Sequence, residues 1–298
     1  MKLGLGTVQF GMNYGIANRH GKTPIDEVKK ILNLARENNI QCLDTAALYG
    51  SSEEVLGEAL PLNFPWQIVT KTDTFGKRPV GEKEISRLEE VFHTSLKHLK
   101  QDFVYALLIH QPDDLIASGG TRLFKKMQEF KSQGLVKKIG VSVYDEKQID
   151  WLLDMGGVDI VQVPINILDQ RLIESGHLKK LKQAGIEIHG RSAFLQGLLL
   201  MDFDQLPSHL EIVCEHLKKL NLSVKVEGLT VLEAALGFVL MQEEIDRVIV
   251  GVNNTTEFKE ILSAVGKVQN YSSKIKKLTS ASKFEDVRIL NPGLWGKL

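Results

Sequence analysis

Along this chain, short runs of consecutive apolar residues alternate with longer stretches in which apolar positions recur every three or four residues. The runs are KLGLGT (2–7), IQCLDT (40–45), WQIVTK (66–71), FVYALLIH (103–110), VKKIGVSV (136–143), VDIVQVP (158–164), GIEIHGR (185–191) and DRVIVGV (246–252). Most are continuously apolar, as expected of parallel strands covered on both faces. Over 24–39 the spacing predicts a helix with Ile25, Val28, Ile31, Leu32 and Ala35 on one face and Pro24 in its first turn. Helices follow over 82–99 and 121–133, and near 145–154, 171–184, 207–221, 230–242 and 256–266.

Eight strands, each followed by a helix, with no Pro/Ser-rich linker, predict a single (β/α)8 barrel domain. The barrel proper is expected over about 2–266, followed by a C-terminal segment, 267–298. A doubly wound open sheet is disfavoured, because no GxGxxG turn opens any of the helices. LGLGTVQFG carries glycines, but not at that spacing.

In such a barrel the reactive groups come from the C-terminal ends of the strands. Those positions hold Asp44 and Tyr49 after strand 2, Lys71 at the end of strand 3 and His110 at the end of strand 4. Ser142, Gln162, Asn166, Arg191 and Ser192 follow on strands 5 to 7. Each alone has a structural reading, but titratable groups on three consecutive strand ends must converge on one small volume. A phenol is a poor acid at neutral pH, with a reference pKa of about 10. A nearby ammonium favours its phenolate, a carboxylate holds that ammonium, and a histidine can orient a substrate oxygen. Such a set would protonate a carbonyl oxygen while a nucleophile reaches the carbon, and a cofactor hydride is the natural nucleophile.

The stretch DTAALYGSSEEVLGEAL (44–60) resembles the DTA-x-x-YG-x-SE-x-x-LG signature of the aldo-keto reductases. The likeness continues through TK (70–71), LLIH (107–110), GLVKKIGVS (134–142), VQVPINILD (161–169), SAFLQGLL (192–199) and VIVGVNN (248–254), which includes Asn253. The resemblance implies Tyr49 as general acid, Asp44 and Lys71 tuning it, and His110 orienting the carbonyl. It implies Ser142 and Gln162 at the nicotinamide carboxamide, and NADPH or, less often, NADH as cofactor.

The chain departs from the family pattern in several places. Strand 1 follows almost at once on the first residue, without the usual N-terminal β-hairpin. Val143 stands where an asparagine is common, and Arg191 where a tyrosine stacks on the nicotinamide. Gly251 and Glu257 replace the lysine and arginine that meet a 2′-phosphate, while Glu260 remains where an acid meets the adenine. The preference between NADP(H) and NAD(H) is therefore open, and the expectation is binding within about 1.4 kcal/mol, a tenfold ratio.

Composition narrows the alternatives. Lysine plus arginine equals aspartate plus glutamate, 37 each, which gives no electrostatic case for nucleic acid or an anionic membrane. No apolar run approaches roughly 18 residues and no signal-peptide core is present, so a cytoplasmic protein is expected. No histidine pair has metal-ligand spacing, and no metal is expected. His189, near the strand 7 end, and Trp295, near the C-terminus, are candidates for substrate-side contacts. The reading is NAD(P)H-dependent reduction of a small aldehyde or ketone, with a sugar derivative among the candidates. Its rivals are a barrel lyase with a Lys71 Schiff base and a nicotinamide-binding regulatory subunit.

Overall fold

In the computed structural model, which describes residues 1–76 and 78–297, eight parallel strands close on themselves in sequence order. They are β1 (Leu3–Gly6), β2 (Cys42–Asp44), β3 (Gln67–Lys71), β4 (Val104–Ile109), β5 (Val136–Ser142), β6 (Ile160–Pro164), β7 (Glu187–Arg191) and β8 (Arg247–Gly251). Closure is made by β1 on β8, with Leu5 opposite Val250 and Gly6 opposite Gly251. Among the described residues no strand precedes β1.

Outward-facing Leu, Ile and Val on the strands pack against the apolar faces of the helices and form the main core. Burial of each such side chain stabilises the fold by roughly 1.5–3 kcal/mol. Inside the barrel a separate apolar cluster of Cys42, Val69, Ala106, Leu108, Ile160 and Ile249 fills the middle. Small residues let the strands approach there: a Cβ on Gly140 would stand 1.7 Å from the Ile160 carbonyl oxygen. Below this plug, Glu187 accepts from the Tyr105 hydroxyl at 2.7 Å, pairs with Lys138, and meets His189 Nε2 at 2.7 Å.

Three helical stretches differ from the periodicity. The helix expected over 171–184 is broken into Arg171–Glu174 and His177–Gln183 by Gly176, whose φ of 77° a continuing helix does not allow. The one expected over 207–221 begins as a 3₁₀ stretch, Ser208–Val213, and continues as an α-helix from Cys214 to Val226. The last runs through residue 266 without a break, as Thr255–Ser282. Val268, Ile275 and Leu278 extend its buried face. Gly237, on the neighbouring helix Val231–Leu240, gives Ile275 room: a Cβ there would be 2.4 Å from the Ile275 side chain. No helix among the described residues is long and apolar enough to cross a membrane.

Candidate active site

Tyr49 is positioned by two loops pressed together. Its carbonyl caps the helix Ser52–Ala59 by accepting from Ser52 N at 3.1 Å, and Gly50 turns the chain with φ of 58°. Gly11, at the end of the loop after β1, lies so close that a Cβ would stand 1.8 Å from the Tyr49 carbonyl oxygen. Ser52 Oγ bonds the Thr7 carbonyl at 2.8 Å and accepts from Thr45 Oγ1 at 3.1 Å, tying the two loops beneath the phenol.

Lys71 ends β3 and points inward, 1% exposed. Its ammonium donates to both Asp44 carboxylate oxygens at 2.8 Å, to the Thr45 carbonyl at 2.9 Å and to the Tyr49 hydroxyl at 3.4 Å. Burial opposes its charge, but Asp44 and Tyr49 outweigh burial and raise its pKa above the ordinary value. A Schiff base requires a neutral amine with room for attack. An ammonium held this way by its neighbours is the opposite, which removes support from the lyase reading.

Burial raises the Tyr49 phenol above its usual value, while Lys71 pulls it down without overcoming that effect. Lys71 acts in the expected direction, but removing water from the phenolate costs more than one neighbouring cation, itself paired to Asp44, returns. The hydroxyl stays protonated at neutral pH, as a proton donor must. His110 meets the Tyr49 ring edge-on, centroids 5.7 Å apart. Burial, followed by the Lys71 charge, lowers its pKa to about 3, so the imidazole is neutral.

A cavity of about 500 Å³ opens above this group, within the range for small-molecule sites. Asp44, Tyr49 and His110 line its base, and Lys71 lies just beneath. Ser142, Gln162, Arg191 and Ser192 line its wall, while Gly251, Asn253, Glu257 and Glu260 line an arm toward the start of the last helix. Gln162 donates to Asp44 Oδ1 at 2.8 Å, joining β6 to β2 across the barrel. Three buried polar atoms of lining residues, Gln9 Oε1, His110 Nδ1 and Asn253 Oδ1, have no partner among the described residues.

The other residues named from the sequence occupy distinct positions. Arg191 stacks on Tyr144, with its guanidinium 4.5 Å from the ring centroid, and donates to the Val143 carbonyl at 3.2 Å and to Ser192 Oγ at 3.3 Å. His189 is fully buried below the site on Glu187 and does not line the cavity. Trp295 also lies away from it, donating to the Ile289 carbonyl at 2.9 Å. Asn166 serves its own loop, accepting from Leu168 N and Asp169 N.

Sequence reasoning missed Gln9, Tyr14, Asn18, Tyr144 and Gln196, all of which line the cavity. Gln9 and Tyr144 closely follow strands, a signal that could have found them; Tyr14, Asn18 and Gln196 lie in loops with no periodicity. Ser192, Leu195 and Gln196 all have positive φ, at a cost of roughly 1–3 kcal/mol each. That backbone brings the β7 loop against the β1 loop, where a Cβ on Gly197 would stand 2.6 Å from Ala17 Cβ.

Comparison with known proteins agrees with this fold. The aldo-keto reductase AKR11C1 from Bacillus halodurans, in its holo form, superposes with a TM-score of 0.74 over 96% of this chain and 95% of that one, at 22% identity. Aldo-keto reductase YhdN of Bacillus subtilis (strain 168) is 27% identical over 181 residues, 58% of this chain and 53% of that protein. The NADH-specific methylglyoxal reductase of Escherichia coli (strain K12) is 28% identical over 184 residues, 55% and 56% of the two chains. This chain thus spans about half the length of these two curated relatives. The sequence pattern of the Aldo/keto reductase family matches residues 2–283, the whole barrel and the long helix Thr255–Ser282, and the chain belongs to that family.

Proposed function

We propose that this chain reduces a small aldehyde or ketone in the cytosol, taking hydride from NADH or NADPH and a proton from Tyr49. The observation that carries the reading is the Tyr49 hydroxyl at 3.4 Å from an Asp44-held ammonium, at the base of a cavity shared with His110. The reduced nicotinamide, when bound, supplies the hydride that reaches the carbonyl carbon. Tyr49 donates its proton to the carbonyl oxygen, and the nearby Lys71 charge favours the phenolate left behind. Neutral His110 has a ring nitrogen available to orient that oxygen without adding charge.

Ser142, Gln162, Arg191 and Ser192 are the residues that would hold the nicotinamide end, and Gly251, Asn253, Glu257 and Glu260 the adenosine end. Arg191 keeps a cation at the wall of the site and favours carbonyl substrates that carry an acid or several hydroxyls, such as sugar derivatives. Two unpaired cysteines, Cys42 and Cys214, accord with a reducing compartment.

The test is the loss of reduced-nicotinamide absorbance with a panel of aldehydes and ketones, with methylglyoxal and aldose derivatives included. Saturable oxidation with at least one carbonyl is expected. Cofactor binding without turnover on any of them would favour the regulatory-subunit reading instead.

A further inference from the structure

We propose that the outer arm of the cavity selects NADH against NADPH, through carboxylates at the start of the last helix. This rests on the nicotinamide reading above. Hydride transfer to a carbonyl beside Tyr49 places the reactive ring at the His110 end. The rest of a dinucleotide then extends along the arm lined by Gly251, Asn253, Glu257 and Glu260.

A long helix, Thr255–Ser282, begins at that arm, and its N-terminus is where a phosphate would ordinarily gain from free amides and the helix dipole. Here the backbone N–H groups of Thr255, Glu257 and the preceding Asn253 are already engaged. Thr255 N and Oγ1 both donate to Glu27 Oε1 at 2.8 Å. Asn253 N donates to Glu257 Oε2 at 2.8 Å, and Glu257 N donates to Asn254 Oδ1 at 2.9 Å. Asn253 and Asn254 also donate their side-chain amides to Glu257, which fixes its carboxylate in place. The near-equal binding expected from sequence allowed Glu257 to turn away; its bonds hold it at the cavity instead.

Glu260, one turn further on, brings a second carboxylate to the same arm. It has no hydrogen bond within the protein among those found for the described residues and can accept from ribose hydroxyls. Arg191 is the one cation among the described lining residues, and it is held against Tyr144 at the other end of the cavity. Lys259 is exposed and does not line the arm, while Lys30 pairs with Glu27 at 3.2 Å. Gly251 is covered by Gln9, whose amide nitrogen would lie 2.6 Å from an added Cβ. A 2′-phosphate, with close to two negative charges, would meet the fixed Glu257 carboxylate, the Glu260 carboxylate beside it, and no cation among the described residues that line the arm.

Titration of the unmutated protein with NADH and with NADPH, followed by reduced-nicotinamide fluorescence, tests this without turnover. NADH is expected to bind more than tenfold tighter. Added salt should narrow the ratio, because it screens repulsion; a cation-built phosphate site would lose NADPH affinity instead. Glu257→Gln, which keeps an acceptor and removes the charge, should narrow the ratio, and Glu260→Gln should do so independently. NADPH binding as tightly as NADH in the unmutated protein would overturn the inference while leaving carbonyl reduction intact. A preference unmoved by both substitutions would overturn the role given to these carboxylates. Binding of neither cofactor would instead defeat the nicotinamide reading itself, and this inference with it.

Discussion

Lys71 Nζ lies 2.8 Å from both carboxylate oxygens of Asp44, and both side chains are almost sealed from solvent. Taking two charges out of water costs several kcal/mol per ion and is tolerated only when hydrogen bonds complete their surroundings. Here they do: Thr45 and Tyr49 take the remaining contacts of the ammonium, and Gln162 donates to the carboxylate. A pair this expensive, placed under a phenol at the base of a cavity, serves chemistry better than stability.

Removing the lysine should therefore be costly twice. Lys71→Met leaves Asp44 buried without its counter-charge, which destabilises by roughly 3–5 kcal/mol. A double variant, Lys71→Met with Asp44→Asn, should recover part of that stability and none of the activity. Thermal unfolding and turnover measured on the same preparations separate the two effects. Recovery of turnover in the double variant would remove the charge from the mechanism.

Tyr49→Phe deletes only the hydroxyl. Turnover should fall by about two to four decades, the usual scale for a positioned acid, while cofactor titration remains near the unmutated value. Because burial holds the phenol above its ordinary value of about 10, the rate should also stay flat through neutral pH and decline only in strongly alkaline solution. Residual activity close to that of the unmutated protein would exclude Tyr49 as the acid.

No covalent adduct should form when the protein, a carbonyl substrate and borohydride are mixed. Lys71 is kept charged by Asp44 and has its donors engaged. Mass spectrometry of the treated protein would reveal a reduced imine on Lys71 if the lyase chemistry operates.

His110 gives a pH dependence whose sign follows from its surroundings. Its folded pKa is held down to about 3, against about 6.5 in the unfolded chain. Its contribution to stability is therefore fully present above about pH 6.5. It is lost as pH falls toward 3, because the unfolded imidazole takes up a proton that the folded one refuses. The His110 ring resonance should not titrate between pH 8 and 4.5, and His110→Gln should flatten the acid limb of the stability curve. A midpoint near 6.5 in the folded protein would show that the site is wetter than its geometry implies.

Gly11→Ala tests the packing that sets the phenol. Its methyl group would collide with the Tyr49 backbone at 1.8 Å, and backbone cannot yield as a side-chain tip can. Activity should drop at least tenfold while cofactor affinity changes little, since the displaced atom belongs to the acid and not to the arm. A fully active variant would show that the loop tolerates more movement than the close approach suggests.

By itself, the sequence determined the barrel and which polar residues gather at one of its mouths. Continuous apolar runs such as ALLI (106–109) are best satisfied by burial on both faces, and the helical periodicity between the runs leaves one economical closure. Asp44, Tyr49, Lys71 and His110 were legible because each sits at or just after a strand end, and the fold places all strand ends at one mouth. The length of the last helix was not legible, since lysines and serines dilute its pattern beyond 266 and only packing on Gly237 extends it. Three further features were decided by tertiary structure alone: Gln162 reaching Asp44, Arg191 turning onto Tyr144, and Glu27 closing on Thr255 across most of the chain. Local patterns report which face of an element is buried; they carry no record of strand stagger or loop closure, which bring distant polar groups within hydrogen-bonding distance. The raised pKa of Tyr49 belongs with these, because desolvation is summed over every neighbour the fold supplies.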